Sequence, residues 1–462
     1  MRRTRPRVPA VAPLLCALVL NLSAVFFALD VGAARSPHYG GELRVGVLSL
    51  PQDAAPDRPS ASSTLLDTLV HDTLVSVEAS GAVVPRLATS LHSAANGREW
   101  KLGLSPWARF PSGEPVGASD AIRALQRFLR SDSSAAAAFA ERLEGGVDYR
   151  SGAASNAIGL ASPTPGSLQL RLIRPFHHAL APLASAGSAV TDARGRGCGP
   201  FIPVLALPGE RFDLVGFGQH WRGRPYLTRV RLQRVAPHRA VLGVDDLDIV
   251  PGSGTLSRAA QTLLLRLDTT RPPFDSWQAR QLVSHSIDRP LLAAHVWPEI
   301  IPTTSLLLPE TTLQTSAPLE TRLSGGLLLE VGSGIPHAAG QRVMAHLSNL
   351  GLQVRIGEPG PPHIRLQLWT PEVPERGLAV RELAALAPAP AAAQRAIRAS
   401  EQSADPSQWS AHLDAALAAL EDHASLIALA RVPVTFAVRR SVHGAQLDLA
   451  GRLLLEDVWV DP

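Results

Sequence analysis

Lysine is almost missing from this 462-residue chain: Lys101 stands alone among 44 basic residues, and the rest are arginine. Together with the abundant alanine and proline, this reads as a GC-rich coding bias rather than a functional device. Cysteine is nearly as scarce. Cys16 falls in a segment expected to be removed or embedded in a membrane, so Cys198 has no partner and the mature chain no disulfide. No HExxH, GxSxG or SxxK pattern occurs, and the one lysine lies in a hairpin. No catalytic constellation is visible, and the chain is not expected to be an enzyme. A clustered basic face is also missing, which argues against a nucleic-acid partner.

What remains is an ordinary globular composition, 45% hydrophobic and 18% charged, with length for two or three domains. Residues 1–34 read as a signal peptide. Arg2, Arg3, Arg5 and Arg7 precede an apolar core from about Val11 to Leu29, and the small residues Val31-Gly32-Ala33-Ala34 follow. Cleavage is expected after Ala33 or Ala34. The core approaches the roughly 20 residues of a membrane span, so an uncleaved anchor is the alternative, although Pro13 and Asn21 interrupt the run. Leu15 before Cys16 is not the small residue of a lipoprotein box. Without this segment 40 basic residues face 39 acidic ones, a near-neutral mature protein exported to the periplasm or another extracytoplasmic space.

The most informative stretch is 69–128. Gly81, Val84-Pro85-Arg86-Leu87-Ala88, Asn96-Gly97 with Trp100, Phe110-Pro111-Ser112-Gly113-Glu114-Pro115 and Ala118-Ser119-Asp120 follow one another in order. Asn96-Gly97 tolerates positive φ at both positions and predicts a tight hairpin, flanked by Leu91 and by Trp100, Leu102 and Leu104. Ser119 predicts an N-cap, and Asp120 puts a carboxylate at the positive end of a helix whose Ile122, Leu125 and Leu129 share a face. Further on come Gly197-Cys198-Gly199-Pro200-Phe201, Trp221-Arg222-Gly223-Arg224-Pro225-Tyr226-Leu227, Pro272-Pro273-Phe274-Asp275 and Ser286-Ile287-Asp288-Arg289. Strands are expected at 327–331 and from Val354, with a helix from about Ala338 to Leu350 between them, a late helix through Trp409, Leu413 and Leu420, and a returning strand at 432–438.

These blocks resemble the peptide-type (dipeptide, oligopeptide and nickel) extracellular solute-binding proteins of bacterial ABC importers. The resemblance covers nearly the whole mature sequence, from Gly40-Gly41-Glu42-Leu43 onward, although the second lobe looks trimmed and Ala384–Ala393 is an Ala/Pro bridge. It implies an α/β, two-lobed periplasmic-binding-protein fold, type II-like, with mixed sheets and an extra β-rich subdomain in the first lobe. Lobe I would comprise 35–50, 160–265 and 433–462; the β-rich subdomain 51–159; lobe II 266–432. Crossings near Leu263–Leu267 and Pro433–Phe436 would form a hinge. The function implied is capture of a short peptide, or a solute of similar size, by a monomer that delivers it to the permease. No cofactor, metal or catalytic residue is implied. The rival is a non-transport paralogue, sensory or structural, with a degenerate cleft; the trimmed second lobe and the scarcity of tyrosine, three in all, speak for it.

The resemblance also nominates contacts. Peptide-binding relatives use an acid a few positions after the tryptophan of the second lobe to hold the α-ammonium. In Trp369-Thr370-Pro371-Glu372-Val373-Pro374-Glu375 that acid is Glu372, glutamate where aspartate is usual, and a solvated loop glutamate is the competing reading. Trp369 is either a cleft wall or core packing. Arg342 lies near a position used for the ligand carboxylate, or is surface charge. Ser49 and Leu50 lie where the first lobe would pair with an extended peptide. His177-His178 does not predict a metal site, because neighbours on a strand face opposite ways.

Overall fold

Strand β1 (Glu42–Val47) alternates in exposure, with Leu43 and Val45 fully buried, as expected of a strand whose faces differ in solvent access. The computed structural model describes residues 36–56, 64–78, 80–94, 96–236, 246–307, 323–403 and 405–461. The signal segment 1–34 and its cleavage site lie outside the described residues. From Tyr39 onward the chain is one compact unit.

Helix α1 (Thr64–Val70) follows β1, and then the β-rich subdomain begins. Strands β2 (Val75–Val77) and β3 (Val83–Pro85) form a ribbon, and β4 (Ala88–Ser93) pairs with β5 (Glu99–Leu104). The hairpin is present, but only Gly97 takes positive φ, at 64°; the Asn96 side chain instead accepts from the backbone N of Arg98 at 2.9 Å. Helix α2 (Ala118–Leu129) is capped by Gly117 rather than Ser119, and Asp120 reaches back to the Gly117 backbone N at 2.9 Å. Ser119 lies inside the first turn. Helices α3 (Ser134–Arg142) and α4 (Gly146–Ser151) lead to β6 (Leu160–Thr164) and β7 (Ser167–Arg171), completing a four-stranded antiparallel sheet in the order β4-β5-β7-β6. Its core is built on Leu102, Leu125, Phe128, Phe139 and Leu170.

The chain then returns to the first lobe through β8 (Phe201–Leu207), β9 (Arg211–Gly216) and β10 (Arg229–Arg234), with β10 parallel to β1. The turn at Gly197 and Gly199 lies so close to the end of α1 that a Cβ on either would fall within 2.5 Å of the Val70 backbone. Cys198 between them is fully buried, and burial pushes its thiol up.

The long β11 (Ile249–Leu267) crosses to the second lobe. There α5 (Trp277–Ser286), α6 (Arg289–His295), β12 (Ile301–Pro302), β13 (Gly326–Val331), α7 (His337–Asn349), β14 (Gln353–Ile356) and β15 (Ile364–Trp369) follow. Then come α8 (Arg376–Leu386), α9 (Ala391–Gln402) and α10 (Pro406–His423), before β16 (Leu426–Val438) returns to the first lobe. One sheet runs through both lobes in the order β14-β13-β15-β11-β1-β10-β9-β8, with β16 also on β11. Helices cover the second-lobe sheet on both faces. Leu263, Leu265 and Leu267 enter one buried cluster with Val343 and Leu347 of α7, whereas Leu264 enters another with Val380 and Leu413. The alternation is the period of two expected of a strand.

β11 touches β1 only at Ile249, and its ladder with β15 starts at Thr262. The crossing lies between them, opposite Val432–Val438, where the β11–β16 register shifts between Pro251 and Leu256 and again between Ala259 and Gln261.

Candidate functional site

A cleft of about 320 Å³ opens between the end of α1, the turn around Ala186, the C-terminal segment 444–457 and Pro374 of the second lobe. Arg86 and Arg222 on its wall belong to a polar network centred on Asp72, which lies buried behind them. That side chain is fully buried and accepts from Arg86 Nε at 2.7 Å, Trp221 Nε1 at 2.9 Å and His220 Nε2 at 3.1 Å. Arg86 continues to Glu456 at 3.3 Å, and Arg222 reaches Glu456 at 3.0 Å. Burial opposes ionisation of Asp72, but the Arg86 charge and the His220 and Trp221 donors outweigh it and hold the carboxyl well below the usual carboxylate range. A buried charge persists only when so paired. At the rim Arg452 bonds Asp448, while His71 donates to the Ala54 carbonyl at 2.6 Å. The walls therefore carry guanidinium and carboxylate groups side by side, paired with one another.

A family model described as bacterial extracellular solute-binding proteins, family 5 middle, matches residues 82–322, more than half of the chain. The chain belongs to that family. No curated protein sequence matches. Among solved structures, OppA of Haemophilus influenzae in complex with RPPGFSPFR superposes with a TM-score of 0.77 at 14% identity, covering 92% of this chain and 100% of that one. The Escherichia coli murein tripeptide binding protein MppA gives 0.77 at 16% identity, covering 91% and 98%. NikA of Staphylococcus aureus in complex with Ni(L-His)2 gives 0.73 at 13% identity, covering 91% and 100%. The two-lobed fold of this family-5 protein is shared with all three.

None of the five residues nominated from sequence lines the cleft. Trp369 is buried among second-lobe side chains, and its indole donates to Glu382 at 2.9 Å, so it is core packing and not a wall. Leu50 is buried in the first-lobe core, and Ser49 is exposed just after β1. Arg342 is half-buried on α7, where its neighbour Val343 packs toward β13. Glu372 turns to the N-terminal turn of α3. Its Oε1 accepts from Ser133 Oγ at 2.6 Å and Ser185 Oγ at 2.5 Å, and its Oε2 accepts from Ser134 Oγ at 2.9 Å and the Ala135 backbone N at 3.2 Å. Only Pro374, two residues on, reaches the cleft.

Arg86 of the cleft wall and Trp221 behind it both lie in sequence blocks that carry no site signal of their own. Arg86 sits inside Val84-Pro85-Arg86-Leu87-Ala88, and Trp221 opens the block at 221–227. The nearest thing to a signal was a charged side chain between two otherwise apolar motif positions. The histidine pair also differs from expectation. His178 has φ 46°, no strand is formed, and the rings of His177 and His178 stack at 4.1 Å on the same side. Among the described residues no group of three or more His, Cys, Asp or Glu could hold a metal.

Proposed function

We propose that this chain is the solute-capturing subunit of an ABC importer, exported by its N-terminal signal, acting as a monomer in the periplasm or an equivalent space. It takes a short peptide, or a solute of that size, into the cleft beneath Pro374 and presents it to the permease. The family match carries this reading. The cleft supports it: its walls carry charges of both signs, Arg86, Arg222 and Arg452 beside Asp448 and Glu456. The paired crossings of β11 and β16 supply a hinge between the lobes. Similar folds carry a nonapeptide, a murein tripeptide and a nickel–histidine complex, so solute identity is set by side chains and not by architecture.

Native mass spectrometry of the exported protein tests the reading by weighing what is bound. Thermal melting with a dipeptide and tripeptide library extends it. A ligand at about 100 times its Kd should stabilise by about 2.7 kcal/mol, a rise of about 3 °C for a chain of this size. No bound mass and no shift with any peptide would defeat the peptide assignment.

A further inference from the structure

The loop from β15 to α8 carries Pro371 and Pro374, which restrict its backbone before it docks. Val373 between them is 1% exposed, and with Leu378 of the second lobe it belongs to the same buried cluster as Ala136 and Phe139 of the β-rich subdomain. The second lobe therefore does more than face the subdomain across solvent; it inserts apolar side chains into that core. Glu372 is the polar half of the same contact. A carboxylate has about four acceptor positions, and the three hydroxyls and one backbone N already described fill them. Ser133 and Ser185 each donate to Glu372 while accepting from a backbone N of their own turn, which fixes their orientation.

Further contacts join the same two regions. His178 Nδ1 lies 3.1 Å from Glu375 Oε1, Arg381 pairs with Glu141 at 2.6 Å, and Arg174 donates to the Glu401 carbonyl at 2.5 Å. The His177 ring packs on Trp409 at 4.5 Å.

We propose that residues 371–378 are a clasp between the second lobe and the β-rich subdomain, in which Glu372 is a positioning residue and not the group that receives a solute's ammonium. The inference rests on the hinged-lobe reading and is independent of which solute is bound. Opening the lobes must withdraw Val373 and strip Glu372 of its donors, so the clasp biases the lobes toward closure.

Small-angle X-ray scattering of the exported protein without solute measures opening directly. Hydrogen exchange across 371–378 reads the same ratio where the open form is rare. Glu372→Ala should raise the open-to-closed ratio roughly ten- to a hundredfold, the effect of losing charge-assisted hydrogen bonds. Ser185→Ala, which removes one donor, should move it the same way by less. If the alanine variant does not fold, Glu372→Gln keeps the size and removes the charge, and the same rise is expected. Unchanged scattering and exchange in the folded Glu372 variants would overturn the clasp. A solute-holding Glu372 gives the reverse pattern, with the solute-free ensemble unmoved and affinity lost. Absence of any solute for the unmodified protein would sink the importer reading and leave the clasp comparison standing.

Discussion

Two carboxylates join distant parts of this chain, and they are satisfied in different ways. Asp72 is fully buried and surrounded by a guanidinium, an indole and an imidazole. Glu372 is only partly buried, and its four donors are neutral. Separating Asp72 from Arg86 would strand a charge in the interior, which is costly. Releasing Glu372 exposes a carboxylate and three hydroxyls to water, which recovers most of each bond and leaves a modest net cost of about 1.5–3 kcal/mol. The first arrangement suits a fixed support behind the cleft wall, and the second a contact that breaks and re-forms. The sequence distance is long in both, so what distinguishes them is donor charge and solvent access.

The sharpest way to break the comparison is at Arg86. Arg86→Met should destabilise the protein by about 3–5 kcal/mol, because Asp72 remains buried without its cation. Chemical denaturation measures this, and adding Asp72→Asn should recover part of the loss. Acid acts on the same pair. The folded pKa of Asp72 lies below its unfolded value, so its contribution is fully present above about pH 4 and is lost as pH falls toward the folded value. Denaturation midpoints should fall below pH 4, and Asp72→Asn should flatten that slope. Glu375 is the intermediate case. It caps α8 through Gly377 N at 3.0 Å and Leu378 N at 2.9 Å; burial opposes its ionisation, but His178 and these donors keep its carboxyl below the usual range. Glu375→Ala should cost about 1–2 kcal/mol, read from the same curves. Ser134→Ala should show the smallest effect, about 0.5–1.5 kcal/mol, for one neutral donor to Glu372. A Ser134 loss as large as that at Arg86 would erase the distinction between the two carboxylates.

The fold was legible wherever its signals are local. Gly97 and Asp120 act within a few residues of themselves, and both mark a turn and a helix start, although the cap moved two positions because Asp120 selects Gly117 as its partner. Strand and helix periods at Leu327–Val331 and in α7 follow from burial on one face. The site was far less legible. Glu372 stood out as an acid in a constrained loop, but Ser133 and Ser185 lie 239 and 187 residues away, and nothing local pairs them. The cleft's far wall is built from residues 444–457, where strands of two residues are too short to show a period. His178 escaped because its left-handed backbone breaks the alternation on which opposite facing depends.

The unpaired stretch of β11 opposite Phe436 has a mechanical consequence. Gly254 there presses so close that a Cβ would sit 2.1 Å from the Phe436 carbonyl oxygen, and Pro251 and Leu256 both face Phe436 across the ladder. Because β11 and β16 cross side by side as one ribbon, it folds most easily about a line across its width and resists shear along its length. Any motion of the lobes about this ribbon would then be close to a rotation about a single line. A side chain at position 254 would have to push β16 away from β11 there, without touching either cleft or clasp.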